Sequence, residues 1–332
     1  MKKFTSILLV FLLTLSLSAV AFGQSLMVYS ALHEYEIARI LDAFSKETGI
    51  PTDFIRASAG EIVARVSAES AAPRADIFLG GPGDSHAVLI PQGALLPYQS
   101  PTAADIDDFY LDPEYHWNGF YLGALGIAIN TERFEAEIQP LGLDYPKTWE
   151  DLLDPAYKNE IVVANANTSG TGYTFAVNQL RRLGEGAGWD FLDAFHENVH
   201  HYTRSGAAPA RMVGAGEFII GITFGHDILK PLSAGYPLKL VYPPNVAWEI
   251  GGVSIIKGGP NEEAAKKFID WVLGQEAGQL HSDLSMRIST RTDVSLPPGA
   301  TPLEEIVLID YFLDWAADNR VRVLDEWSNR YE

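Results

Sequence analysis

The chain has 332 residues, no cysteine, 47% hydrophobic content and a formal net charge of −19. The missing cysteines exclude a disulfide framework, a thiol nucleophile, a thiolate metal site and a lipid-modified cysteine anchor, and the negative charge argues against nucleic acid or an anionic membrane as partner. A chain of this length divides its core, since a single core rarely grows beyond ~250–300 residues.

In chain order, Lys2 and Lys3 precede an apolar run from Ile7 to Ala21, closed by small residues up to Gly23. That order predicts a cleavable secretory leader over residues 1–23 and export to the periplasm. A membrane anchor fits less well, because Thr14, Ser16 and Ser18 interrupt a run already short for a ~20-residue span. Strand-then-helix units follow. Leu26–Tyr29 reads as a strand, and Glu34–Thr48 as a helix with Ile37, Ile40, Leu41 and Phe44 on one face, stopped by Gly49. Thr52–Ile55, Glu61–Glu69 and Ala75–Leu79 continue as strand, helix and strand, ending in Gly80-Gly81-Pro82-Gly83. This alternation predicts an α/β fold with a mostly parallel sheet, which binds ligands beyond the carboxyl ends of its strands.

Trp117–Asn130 is apolar and long enough to cross into a second lobe. There the pattern predicts a strand at Ile161–Ala164, helices at Tyr173–Leu183 and Trp189–Val199, and a strand at Phe218–Phe224. Glu249–Ile256 reads as the return crossover, Glu262–Leu273 as an amphipathic helix and Leu303–Trp327 as a helical packing tail. The expected organisation is a discontinuous first lobe (24–120 and 252–285), a second lobe (121–251) and a C-terminal helical tail (286–332).

Four places just after strands carry candidate binding chemistry. Asn167-Thr168-Ser169-Gly170-Thr171-Gly172 supplies hydroxyls, two close-approach glycines and free N–H groups at a helix start, which suits an anion. An ordinary N-cap would need one hydroxyl rather than three. Arg56-Ala-Ser58-Ala-Gly60-Glu61 and Tyr202-Thr-Arg-Ser205-Gly206-Ala207-Ala-Pro209 repeat the small-residue turn before a helix, so three helix starts are candidates for one anion site. Gly225-His226-Asp227, with Glu249 one crossover later, offers acceptors for hydroxyl groups, or simply a surface loop with a local hydrogen bond. His196, His200 and His201 have helix-like spacing, but no carboxylates accompany them and a metal reading is disfavoured.

Tyr29-Ser-Ala-Leu-His33, Ala75-Asp-Ile-Phe-Leu79, Asn167 to Thr171, Tyr202 to Pro209, Gly221-Ile-Thr-Phe-Gly-His-Asp227 and Gly252-Val-Ser-Ile-Ile256 resemble the type II periplasmic binding proteins grouped with ferric-ion-binding proteins. The Ser-Gly-Ala-Ala-Pro stretch and the His-Asp pair are most similar to the hexose-phosphate-binding members. The resemblance implies two α/β lobes, a two-strand hinge that closes on a small anionic solute, and delivery to an ABC permease in the inner membrane. It further implies a monomer with no catalysis and no cofactor. Ferric-ion binders hold iron with adjacent tyrosines after the strand that here ends in Gly225-His226-Asp227, and no Tyr-Tyr pair occurs in this chain. The resemblance places phosphate donors at Ser58, Thr168, Ser169, Gly170, Thr171, Ser205 and Ala207, and hydroxyl acceptors at His226, Asp227 and Glu249. Ser30, His33, Gly60, Glu61 and Gly80 complete the candidate set. Sugar phosphate ranks first, followed by 2-aminoethylphosphonate, ferric ion and thiamine, the last calling on Trp117, Tyr121 or Trp248 for stacking. From other classes, a metal phosphohydrolase at His226-Asp227 lacks placeable partners, and Ser169 lacks the Gly-x-Ser-x-Gly elbow of a nucleophile. An adhesin would bind no small solute.

Overall fold

The computed structural model describes residues 25–310 and 312–332, so the leader expected over 1–23 lies outside the described residues. Strands β1 (Leu26–Ser30), β2 (Thr52–Arg56) and β3 (Ile77–Pro82) run parallel, with Val28 opposite both Phe54 and Ile77. They are linked by α1 (Glu34–Thr48) and α2 (Ala59–Ala68). Helix α1 buries Ile37, Ile40, Leu41 and Phe44 and stops where Gly49 turns left-handed at φ 72°. After β3 come a short α3 (Gly83–Ala87) and β4 (Leu95–Leu96).

Two long strands tie this lobe to the next. β5 (Asn118–Asn130) is buried along its whole length, and its first half pairs antiparallel with β10 (Trp248–Ile256), Glu249 lying opposite Gly123. Its second half pairs with β8 (Ile220–Phe224), Ile127 lying opposite Ile222. The order β2-β1-β3-β10-β5-β8-β6-β7 is completed by β6 (Ile161–Ala164) and β7 (Val199–Thr203). Helices α4 (Gly170–Leu183), α5 (Glu185–His196), α6 (Ala208–Gly214) and α7 (Gly225–Ser233) cover the second lobe, with β9 (Leu238–Val241) beside β5. The chain returns along β10 to α8 (Glu262–Val272) and α9 (Gln275–Ser285) of the first lobe. The architecture is the two-lobed α/β fold with a two-strand hinge. Separate apolar cores fill the lobes, one around Ile37, Phe44 and Phe268, the other around Trp149, Phe175 and Phe195.

Several elements differ from expectation. The helix expected to reach Val199 ends at His196, and Val199–Thr203 is a strand parallel to β6. His200 and His201 therefore sit on a strand rather than on one helix face with His196. His226 and Asp227 lie in the first turn of α7, not in a loop. The tail forms only a 3-10 turn at Leu303–Glu305 before α10 (Leu313–Tyr331). The β-branched residues Ile306, Val307 and Ile309 prefer extended backbone, and Leu308 bridges to Val246 there. Before that turn, β11 (Ile288–Ser289) pairs with β5, placing Ser289 opposite Tyr121. Helix α10 contributes Ala316, Val323 and Trp327 to the second-lobe core, while its buried Arg320 reaches Asp84 of the first lobe at 2.6 Å.

Candidate functional site

A cavity of about 50 Å³ lies between the lobes at the carboxyl ends of their strands. Three turns converge on it. Ser58 and Ala59 open α2, Ser169, Gly170 and Thr171 open α4, and Gly206 and Ala207 precede α6. Ser169 Oγ accepts from the N–H of Gly172 as the N-cap of α4. Gly170 is required by the approach of the lobes, since a Cβ there would stand 2.7 Å from Pro82 Cδ.

The cavity is also lined by His33, Tyr121, His226, Asp227, Glu249 and Arg287. His33, the N-cap of α1, places Nε2 2.9 Å from Asp227 Oδ1 across the cleft. Burial would push the Asp227 carboxyl up, but the neighbouring imidazoles of His226 and His33 and the Arg287 guanidinium outweigh it and hold it well below the usual range. Burial, aided by Arg287, keeps His226 neutral. Glu249 is driven the other way: burial, with Asp227 and Asp84 adding to it against Arg287, holds it protonated well above the usual carboxylate range. The two carboxyls are thus driven in opposite directions, Asp227 toward the ionised form and Glu249 toward the protonated one. Arg287 is anchored by its Nη1, which donates to the fully buried Glu36 at 2.7 Å, and its guanidinium stacks 4.8 Å from the Tyr121 ring centre. Its Nε and His226 Nδ1 are buried without a hydrogen-bond partner among the described residues, which is costly unless a ligand satisfies them.

Nine of the sequence candidates line this cavity: His33, Ser58, Ser169, Gly170, Thr171, Ala207, His226, Asp227 and Glu249. The other six lie behind or beside it. Ser30 Oγ is buried and accepts from the N–H of Leu32. Gly80 makes a left-handed turn at φ 84° against Leu32. Gly60 packs on the carbonyl of Asn167, where a Cβ would come within 2.5 Å. Glu61 pairs with Arg204 of the other lobe and accepts from the N–H of Ser58. Thr168 Oγ1 donates to the Arg204 carbonyl at 3.2 Å, and Ser205 Oγ accepts from Arg56 Nη2 at 3.2 Å. Of the aromatics considered for stacking, Trp117 is buried near His86 and Trp248 stacks on Phe109, so Tyr121 alone of the three lines the cavity.

Arg56, Tyr121 and Arg287 were missed as candidate ligand contacts for the favoured anion. Arg56 stood inside a motif already quoted, two residues before Ser58. Arg287 carries no local signal: it follows Met286, which turns left-handed at φ 60° after α9, and only the pairing of β11 with β5 brings it inward.

The lobes touch directly around the cavity. Ser58 Oγ donates to the Arg204 carbonyl at 2.9 Å, and Lys230 Nζ of α7 donates to the Leu284 carbonyl at 2.7 Å. This is a closed cleft.

The model of the bacterial extracellular solute-binding proteins matches residues 72–303. An uncharacterized protein of Haemophilus influenzae is 35% identical over 326 residues, covering 95% of this chain and 92% of its own length. The periplasmic binding protein AfuA of Actinobacillus pleuropneumoniae, solved with exogenous fructose-6-phosphate bound, superposes with a TM-score of 0.87 at 32% identity, over 92% of this chain and 98% of that one. A ferric binding protein from Campylobacter jejuni has the same fold, with a TM-score of 0.76 at 22% identity over 92% of this chain and 99% of its own.

Proposed function

The chain belongs to the bacterial extracellular solute-binding proteins, of the periplasmic type that serves ABC importers, and we propose that it captures a sugar phosphate in the cavity between its lobes. The observation that carries this reading is the convergence of three helix starts from both lobes, at Ser58–Ala59, Ser169–Thr171 and Gly206–Ala207, on one space between the lobes. Backbone N–H groups and hydroxyls at helix starts hold a phosphate without formal charge, so an acidic protein binds an anion there despite its overall field. The other polar groups lining the cavity suit the rest of a sugar: Asp227 accepts from hydroxyls, Glu249, driven toward its protonated form by burial, can donate as well as accept, and Arg287 donates from a fixed position. Contacts made across the cleft, such as His33 with Asp227, couple ligand capture to closure. AfuA, with its bound fructose 6-phosphate, supports the same reading. Ferric ion is less well served, because the lining phenol, Tyr121, accepts from the N–H of Gly81 and burial holds its proton far more tightly than usual.

On this proposal the mature protein works in the periplasm as a monomer after loss of its leader, without catalysis, and delivers its solute to an inner-membrane permease. A thermal-shift panel of fructose 6-phosphate, glucose 6-phosphate, 2-aminoethylphosphonate, thiamine and Fe³⁺ tests it. A ligand at 100 times its Kd stabilises by about 2.7 kcal/mol, so the sugar phosphates should raise Tm clearly. A shift with Fe³⁺ or the phosphonate alone would replace the reading. Sustained release of phosphate from the sugar phosphate would overturn the non-catalytic part of it.

A further inference from the structure

Beside the cavity, and also between the lobes, runs a wider groove of about 970 Å³. His33, Arg56, Ala207 and Asp227 line both spaces, and the His33–Asp227 and Arg56–Ser205 contacts lie where they meet. The groove gathers Arg56, Arg211 and Lys230 in a protein of net charge −19. Its carboxylates are fewer: Asp227 is committed to His33, leaving Glu34 on the rim. Lys230 and Arg56 each have structural partners, Lys230 with Glu36 and Leu284, Arg56 with Ser205 and the Leu32 carbonyl. Arg211 differs. It is exposed on α6, it does not line the inner cavity, and its guanidinium has no hydrogen-bond or ion-pair partner among the described residues. Instead it sits close enough to Arg56 to help burial hold that guanidinium below its ordinary range. Arg211 adds a like charge beside Arg56, which Glu61, Asp227 and Glu34 already offset, so its own charge serves no pairing in the fold and stands at the edge of the cavity.

We infer that Arg211 and its groove form an electrostatic mouth that draws anionic solutes from solution toward the cleft, setting the association rate rather than the grip on bound ligand. The inference rests on the proposed anionic ligand. Without such a mouth, the acidic surface would repel a phosphate dianion over about a Debye length, ~8 Å at physiological salt, whereas focused charge at a cleft speeds association by ~10- to 1,000-fold.

Stopped-flow tryptophan fluorescence with fructose 6-phosphate at low ionic strength tests it. Arg211→Ala should lower kon about threefold and Arg211→Glu about tenfold, with koff unchanged and the difference gone near ~0.5 M salt. Lys257→Glu is the control, an exposed site just past β10 and about 25 Å along the strand from Glu249. It makes the same charge change and should leave kon as it is. An unchanged kon in the Arg211 variants, an equal loss in Lys257→Glu, or a change carried by koff would each overturn the inference. If the wild-type protein ignores sugar phosphates, the proposed ligand has failed rather than the mouth, and the comparison is run with whichever anion of the panel binds. Binding of no anion would overturn both.

Discussion

Gly170→Ala separates closure from folding. Gly170 belongs to the second lobe, and the atoms an added Cβ would meet, Pro82 Cδ at 2.7 Å and Ala59 Cβ at 3.2 Å, belong to the first. Carbon atoms are most comfortable ~3.5–4.0 Å apart, so the closed cleft must absorb an overlap of about an ångström. Overpacking of this kind costs ~1–3 kcal/mol, which weakens binding roughly five- to a hundredfold. The open protein bears none of that cost, and alanine is a better helix former than glycine in α4. The ligand-free Tm should therefore hold or rise slightly while Kd, measured by isothermal titration calorimetry, increases. Unchanged affinity would mean that the lobes do not meet at Gly170 when ligand is held. A fall in ligand-free Tm alongside Kd would mean that the glycine serves the fold instead.

Arg287→Ala should abolish binding and also destabilise the protein by ~1.5–3 kcal/mol, the loss of a charge-assisted hydrogen bond, because buried Glu36 then keeps only Lys230 and Tyr35 as side-chain partners. Adding Glu36→Gln should recover much of the stability, seen in urea midpoints, and none of the binding. For Glu249, a raised folded-state pKa means that its contribution is fully present below the unfolded value of ~4.3 and is lost as pH rises toward the folded pKa. Glu249→Gln should therefore gain stability over wild type above about pH 4.5, and coincident pH profiles of the two would show Glu249 ionised in the fold. Arg320→Met leaves Asp84 buried without its partner, and should lower Tm by several degrees through loosened attachment of α10 to the first lobe. An unchanged Tm would show that the pair contributes nothing there.

The parts legible in the sequence are those where local pattern and tertiary role coincide. Helix Glu34–Thr48 declares itself by its apolar face and its terminal glycine, and strand Ile161–Ala164 is a short apolar run that leads into a capped turn. The turns that open helices are legible for the same reason, since Ser169 and its glycines must satisfy a helix start whatever else they do. What escaped depends on contacts distant in sequence. Val199–Thr203 is rich in polar residues and becomes a strand because β6 lies beside it. Arg287 enters the cavity only because residues 288–289 pair with β5. Thr168 and Ser205 looked equivalent to Ser169 in sequence, but one donates to the Arg204 carbonyl and the other accepts from Arg56, so neither lines the cavity. Spacing could not distinguish a hydroxyl facing the ligand from one facing the protein.

The most direct test of the central claim is calorimetric titration of the mature protein with fructose 6-phosphate and, separately, with fructose. The account predicts saturable one-to-one binding of the phosphate ester and at least a hundredfold weaker binding of the free sugar, since a charge-assisted hydrogen bond contributes ~1.5–3 kcal/mol and the cradle offers several. Equal affinity for the two, or binding of neither, would contradict it.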